Sequence, residues 1–173
     1  FHKISLYQII KIDFNFNYEP VPRLIALLLL PPVLVVLIPI CILIAATSNG
    51  PIFFSQRRIG KDEKEFTIYK LRTMEVANPE KINQVGRFLR QTKLDELPQV
   101  FNLFNGTMHL IGPRPYSIKD HQKMSALPGF NQRSVVSPGI TGYAQSIGLH
   151  GPMHSTRERL KRLEADLYYI KNR

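Results

Sequence analysis

From Leu24 to Ala46 the chain runs for 23 residues without a charged side chain and is dominated by Leu, Ile and Val. As a helix rising 1.5 Å per residue, that run reaches about 35 Å, enough for the hydrocarbon core of a bilayer. A secretory signal peptide is a poor reading, because the run is too long and begins after a polar stretch. Pro31-Pro32 and Pro39 interrupt it. Each proline removes an amide donor and disfavours the helical conformation of the residue before it, so a sharp bend is expected. Carbonyls freed inside hydrocarbon need other partners, which favours a helix-break-helix that dips into one leaflet and returns; a kinked span and a buried core helix remain the alternatives. Arg23 precedes the run and Arg57-Arg58 follow it, so cations stand at both ends, whereas a spanning helix usually shows a one-sided excess.

The 173 residues leave room for one compact domain of ordinary size beyond that segment. The expected division is a strand-like N-terminal segment (1–22), a re-entrant membrane segment (23–47) and a single domain in water (48–173). The fold class is α+β, mainly helical with short strands. Ile10 to Tyr18 alternates apolar and polar, the period of a half-buried strand. Ile52–Ser55 and Glu65–Tyr69 read as a small hairpin around a Gly60–Lys64 turn. Residues 74–82 are polar and contain Asn78-Pro79, a loop. Helical patterns follow over Val85–Arg90 and Leu94–Phe104, the second with Leu94, Leu97, Phe101 and Phe104 on one face and Gly106 closing it. Residues 112–152 are rich in glycine and proline, a shaped loop region of the kind that carries sites. Ser155–Arg173 reads as a basic amphipathic helix, with Leu160, Leu163, Leu167 and Ile170 at helical spacing.

Lys and Arg number 23 against 13 Asp and Glu, a formal charge of +10. That excess calls for anionic partners: phosphorylated substrates, nucleic acid or an acidic bilayer surface. The single cysteine, Cys41, rules out disulfides and cysteine-rich metal sites within the chain.

Asp95 and Glu96 open the second helical pattern, and Thr92 stands three residues before Asp95, a capping-box spacing. On that reading the acids answer the positive end of a helix. Arg87, Arg90 and Lys93, crowded just before the pair, allow a second reading: a phosphate site whose field keeps a carboxylate ionised as nucleophile or metal ligand. Arg114 lies fixed between Pro113 and Pro115, suited to a phosphate contact or to a structural turn. Lys70 and Arg72 flank Leu71 at a strand end, where alternation places both on one face. The Pro138–Gly142 loop, followed by Gln145, has backbone amides to offer an anion. His150 and His154 have the spacing of helical metal ligands, but Gly151-Pro152 between them argues against a helix there.

Taken in order, the proline-broken apolar run, GPIFFSQRRIG (50–60), FTIYKLRTM (66–74), GRFLRQTKLDELPQVFNLFNGTM (86–108), IGPRP (111–115), SPGITGYAQ (137–145) and DLYYIKN (166–172) resemble the monotopic phosphoglycosyl transferases, or bacterial sugar transferases. The resemblance covers about residues 20 to 172. It implies transfer of a sugar phosphate from a UDP-sugar to polyprenyl (undecaprenyl) phosphate, with release of UMP, at the cytoplasmic face of the bacterial inner membrane. This is the opening membrane step of polysaccharide or glycoconjugate assembly. Asp95 matches the family's nucleophile and Glu96 the second acid of the dyad. The resemblance further implies a Mg2+ ion with Asp95 as its side-chain ligand, and Lys70, Arg90 and Arg114 match positions associated with the dyad and phosphate groups; Arg72, Thr141 and Gln145 complete the expected substrate-binding set. It places the helix break at Pro31-Pro32 and gives nucleic acid no part. One departure stands out: the family commonly has a glycine closely followed by arginine after the Ala-Gln of SPGITGYAQ, and this chain reads Ile147-Gly148-Leu149-His150. That puts the sugar preference in question and leaves a catalytically decayed, membrane-anchored relative as an alternative, with a basic nucleic-acid-binding protein as the other.

Overall fold

The computed structural model describes residues 20–76, 78 and 81–173. The strand expected over Ile10–Tyr18 lies outside the described residues. The fold mixes helix and strand: helix α1 (Pro20–Thr47), strand β1 (Phe53–Ile59), strand β2 (Glu65–Leu71), helix α2 (Gln84–Thr92), a 3-10 turn (Leu94–Gln99), helix α3 (Val100–Phe104), strands β3 (His109–Ile111) and β4 (Tyr116–Ser117), helix α4 (Ile118–Ser125), a second 3-10 segment (Phe130–Val135), strand β5 (Gly139–Thr141), and helices α5 (Tyr143–Ser146) and α6 (Thr156–Asn172). Two compact units form, one holding residues up to 56 with 68–106, the other 57–67 with 107–173.

Helix α1 is the expected apolar segment, but it does not end at Pro31-Pro32; all three prolines lie inside one 28-residue helix. The physical reason is that proline's fixed φ near −65° is itself helical, so the loss is confined to the donors that would have met the carbonyls of Leu27, Leu28 and Val35. The two faces keep phase along the helix. Leu37 and Ile44, seven residues apart, are buried, while Leu28, Val35 and Ile42, also at spacings of seven, are 77%, 72% and 65% exposed. Its most apolar window has a mean hydropathy of 3.0 and is only 17% buried. A helix this apolar and this bare is a membrane-association element, since water offers its outer face nothing to bury against.

Within the first unit, Leu37 and Ile44 pack with Phe53, Leu71 and Leu89, and Leu94, Leu97 and Phe101 lean on that cluster. Each aliphatic side chain buried there contributes about 1.5–3 kcal/mol. Helix α2 begins at Asn83, whose side chain accepts from the Gly86 amide at 2.6 Å, an N-cap of the usual kind. Gly86 itself lies against the backbone after β2: a Cβ there would stand 2.1 Å from the Thr73 carbonyl oxygen. Backbone cannot yield as a flexible side chain does, so Gly86→Ala is expected to destabilise the unit by about 1–3 kcal/mol, read as a lower unfolding temperature of the detergent-solubilised protein.

In the second unit the end of β1 pairs antiparallel with β4, Arg58 opposite Ser117 and Ile59 opposite Tyr116. Strands β3 and β5 run parallel, His109 opposite Gly139 and Ile111 opposite Thr141. Helix α6 opens on a capping box that was not anticipated, Ser155 with Glu158, and inserts Leu163 beside Tyr116, Met124 and Phe130.

Candidate active site

The sequence between α2 and α3 does not form the single helix expected over Leu94–Phe104. Lys93 adopts the left-handed conformation (φ 61, ψ 12), a 3-10 turn follows, and only from Val100 is the chain α-helical. The capping-box reading of Thr92 is therefore overturned. Its Oγ1 donates backward to the carbonyls of Phe88, at 2.8 Å, and Leu89, at 3.3 Å, and the turn that follows has no side-chain cap. Thr92 closes one helix and opens none, and Asp95 and Glu96 stand in the first turn of the 3-10 segment that follows. The left-handed turn at Lys93 reverses the chain and carries Asp95 inward, where it is 8% exposed.

Around Asp95 the first unit gathers the groups expected from sequence. Lys70 Nζ, on β2, donates to Glu96 Oε1 at 2.6 Å, in a pair whose side chains are 15% and 13% exposed. Arg90, on α2, donates from Nε to Thr73 Oγ1 at 2.8 Å. Asp95's pKa is raised above the ordinary carboxylate value: burial drives it up, Lys70 pulls it down, Glu96 pushes it up, and Arg90 and Lys93 pull it down. The cations were expected to hold this group ionised, and here burial outweighs them. The carboxylate is thus one whose charge is costly unless something positive meets it.

Arg72 goes elsewhere. Its guanidinium is buried and committed to the end of α1, donating from Nη1 to Ser48 Oγ at 2.7 Å, from Nη2 to the Ser48 carbonyl at 3.2 Å and from Nε to the Pro51 carbonyl. The expected shared face with Lys70 is lost because β2 ends at Leu71 and alternation ends with it. These bonds tie Arg72 to the residues that follow α1.

Arg114, Thr141 and Gln145 belong to the second unit. There the Arg114 carbonyl accepts from Arg133 Nη2, Thr141 is exposed on β5, and Gln145 Nε2 donates to the Ile140 carbonyl at 3.2 Å. The glycines of this region allow backbones to touch: a Cβ on Gly139 would stand 2.1 Å from the Gly112 amide. The Gly139 amide is already committed to the Pro113 carbonyl at 3.1 Å, so it is not free to cradle an anion.

Two polar devices were not anticipated. Asn102 is completely buried on α3, and its Oδ1 accepts the Tyr69 amide at 3.2 Å, fixing β2 one residue before Lys70. Arg133 and Asp166 form a buried ion pair, Nε to Oδ2 at 2.7 Å. A signal for the second existed: Asp166 follows Leu163 by three residues and so interrupts the apolar stripe of α6.

The model of the bacterial sugar transferase family matches residues 19–173. This chain belongs to that family. It is 40% identical over 157 residues to the UDP-glucose:undecaprenyl-phosphate glucose-1-phosphate transferase of Klebsiella pneumoniae, covering 84% of this chain and 33% of that protein. It is 38% identical over 144 residues to the UDP-N-acetylgalactosamine-undecaprenyl-phosphate N-acetylgalactosaminephosphotransferase of Aeromonas hydrophila, covering 76% and 33%. The exopolysaccharide production protein PSS of Rhizobium leguminosarum bv. phaseoli is 36% identical over 163 residues, 85% of this chain and 80% of that one. The chain spans about a third of the length of the first two relatives.

Proposed function

We propose that this chain is a phosphoglycosyl transferase, moving a sugar 1-phosphate from a UDP-sugar to a polyprenyl phosphate, undecaprenyl phosphate in the relatives' names, and releasing UMP. The observation that carries this is the buried Asp95 beside the Lys70–Glu96 pair, in a chain whose family and relatives point to the same chemistry. In the first half-reaction an Asp95 oxygen attacks the sugar-bearing phosphorus. The bond from that phosphorus to the bridging oxygen breaks, and UMP departs with the electron pair. In the second, an oxygen of the lipid phosphate attacks the same phosphorus, the Asp95 oxygen leaves, and the carboxylate is restored. Glu96 assists the acceptor, and Lys70 holds Glu96 in place. Burial keeps water from the acyl phosphate and strengthens the pull of the fixed cations on the phosphoryl oxygens.

The donor set suits Mg2+, which takes one or two carboxylates and completes its shell with substrate phosphate oxygens and water. Asp95 offers a buried carboxylate next to the Lys70–Glu96 pair. Asp95 is the residue that would hold the ion, which supplies neutralisation of the diphosphate charge. Arg90 is assigned to substrate.

We place the reaction at the cytoplasmic face of a bacterial inner membrane, with α1 entering and leaving one leaflet. The cations at both flanks support this. The nucleic-acid reading leaves the bare apolar face of α1 without a role. The decisive assay is UMP release from a panel of UDP-sugars by membranes carrying the chain with Mg2+ and polyprenyl phosphate. At least one sugar is expected to turn over, and silence with every sugar would favour a decayed relative. Labelling of single cysteines placed at residues 23 and 47 is expected to report the same side, and opposite-side accessibility would replace the re-entrant reading by a span.

A further inference from the structure

The last residues of β2 and those just after it are each bonded to a different part of the first unit. The Tyr69 amide reaches Asn102 on α3, Lys70 reaches Glu96 beside the nucleophile, and Thr73 receives Arg90 from α2. Arg72, between them, reaches the residues that follow the membrane helix. α1 ends at Thr47, and the guanidinium meets Ser48 through both its hydroxyl and its carbonyl, Pro51 through its carbonyl, and Met74 through its carbonyl at 3.2 Å. Its own amide donates to the Ile52 carbonyl at 2.8 Å. All three guanidinium nitrogens are therefore spent on backbone or hydroxyl oxygens, in a fork that a lysine cannot reproduce.

We propose that Arg72 is a positioning residue that fixes the membrane helix to the catalytic strand, and so sets where the lipid acceptor meets Asp95 and Glu96. This rests on the transferase reading. The two substrates reach the site from different media: the UDP-sugar from water, the polyprenyl phosphate from the bilayer in which α1 lies. A helix held at a defined place two residues from Lys70 matters to the second substrate and not to the first. Small misplacements of a reactant are costly, about 10²-fold for roughly 1 Å, so the clamp governs the acceptor step by refining a position that the packing of Leu37 and Ile44 on Phe53, Leu71 and Leu89 sets only coarsely.

The test separates the half-reactions in membranes carrying the full chain, using whichever UDP-sugar the parent accepts. With UDP-sugar alone, the UMP burst of Arg72→Lys and Arg72→Gln is expected to stay within about twofold of the parent, because uniform donor binding and the nucleophile are untouched. With polyprenyl phosphate added, kcat/KM for the acceptor is expected to fall about tenfold or more in both. Ser48→Ala, which removes one hydroxyl acceptor and leaves Arg72 in place, is expected to show the same split at smaller size. Full acceptor turnover in Arg72→Lys would overturn the proposal, since charge without the fork would then suffice. Equal loss of both half-reactions in all three variants would overturn it as well, reducing Arg72 to general stability. A parent inert toward every UDP-sugar would instead overturn the transferase reading beneath it.

Discussion

Replacing Asp95 by asparagine is expected to abolish UMP release, by about 10³-fold or more, while leaving a protein no less stable than the parent. The first part follows from the covalent step: an amide has no anionic oxygen to attack phosphorus, and loss of a nucleophile is among the largest single-residue effects an enzyme shows. The second follows from burial. Asp95 has a folded-state pKa above its ordinary value, so its acid form is the one favoured by the fold, and folding gains from it only while it stays protonated. That gain is lost as pH rises through the raised pKa, which leaves the ionised group a burden at neutral pH. Asparagine carries no such charge. Its unfolding temperature at pH 7 to 8 is therefore expected to equal or exceed the parent's, with the difference shrinking in acid as the parent's carboxyl protonates. An inactive variant of undiminished stability separates a lost nucleophile from a lost fold, and the same raised pKa predicts that the parent's first half-reaction fails on acidification at a higher pH than an ordinary carboxylate would give.

The second large effect concerns stability. Asp166→Ala removes the partner of a buried guanidinium, Arg133, with side-chain exposures of 3% and 9% for acid and base. Arg133 also lies 4.0 Å from the centroid of the Tyr116 ring and holds the Arg114 carbonyl. Stripping the anion from such a pair costs about 3–5 kcal/mol, because the remaining charge is left in a poor solvent. Asp166 shows how thin the balance is: burial lifts its pKa, and Arg133, the strongest opposing influence, does not bring it back. A joint apolar replacement, Arg133→Met with Asp166→Leu, is expected to recover most of the loss. Chemical denaturation of the solubilised variants measures both, and a single variant as stable as the parent would contradict the pair's role.

What could be read from sequence was what periodicity and local chemistry govern. The hairpin, α2 and α6 stand where apolar spacing and turn residues put them, because each buries a regular face. Leu94, Leu97 and Phe101 do face the core, yet the segment that presents them is a 3-10 turn and a short helix. Its geometry was illegible because Lys93, a residue with no turn preference of its own, takes a conformation usually left to glycine. The same turn hid the meaning of Thr92. At the candidate site, Asp95, Glu96, Lys70 and Arg90 were named from their charge and order, and the fold brings them near one another. The bonds of Arg72 to the residues after α1 were not legible, because a strand's alternation was carried one residue past its end. Asn102 and the Arg133–Asp166 pair escaped because their partners are remote in the chain, and burial of a polar group shows itself only once the fold has brought its counterpart alongside.

The central claim is the covalent intermediate on Asp95, and intact-protein and peptide mass spectrometry test it most directly. Membranes or purified chain incubated with an accepted UDP-sugar and Mg2+, without polyprenyl phosphate, are expected to gain the mass of one sugar phosphate on the peptide containing Asp95, with one UMP released per chain, and to lose it when the lipid phosphate is added. UMP appearing only when the acceptor is present, with no adduct on that peptide, would contradict the account and point to direct transfer between the two substrates.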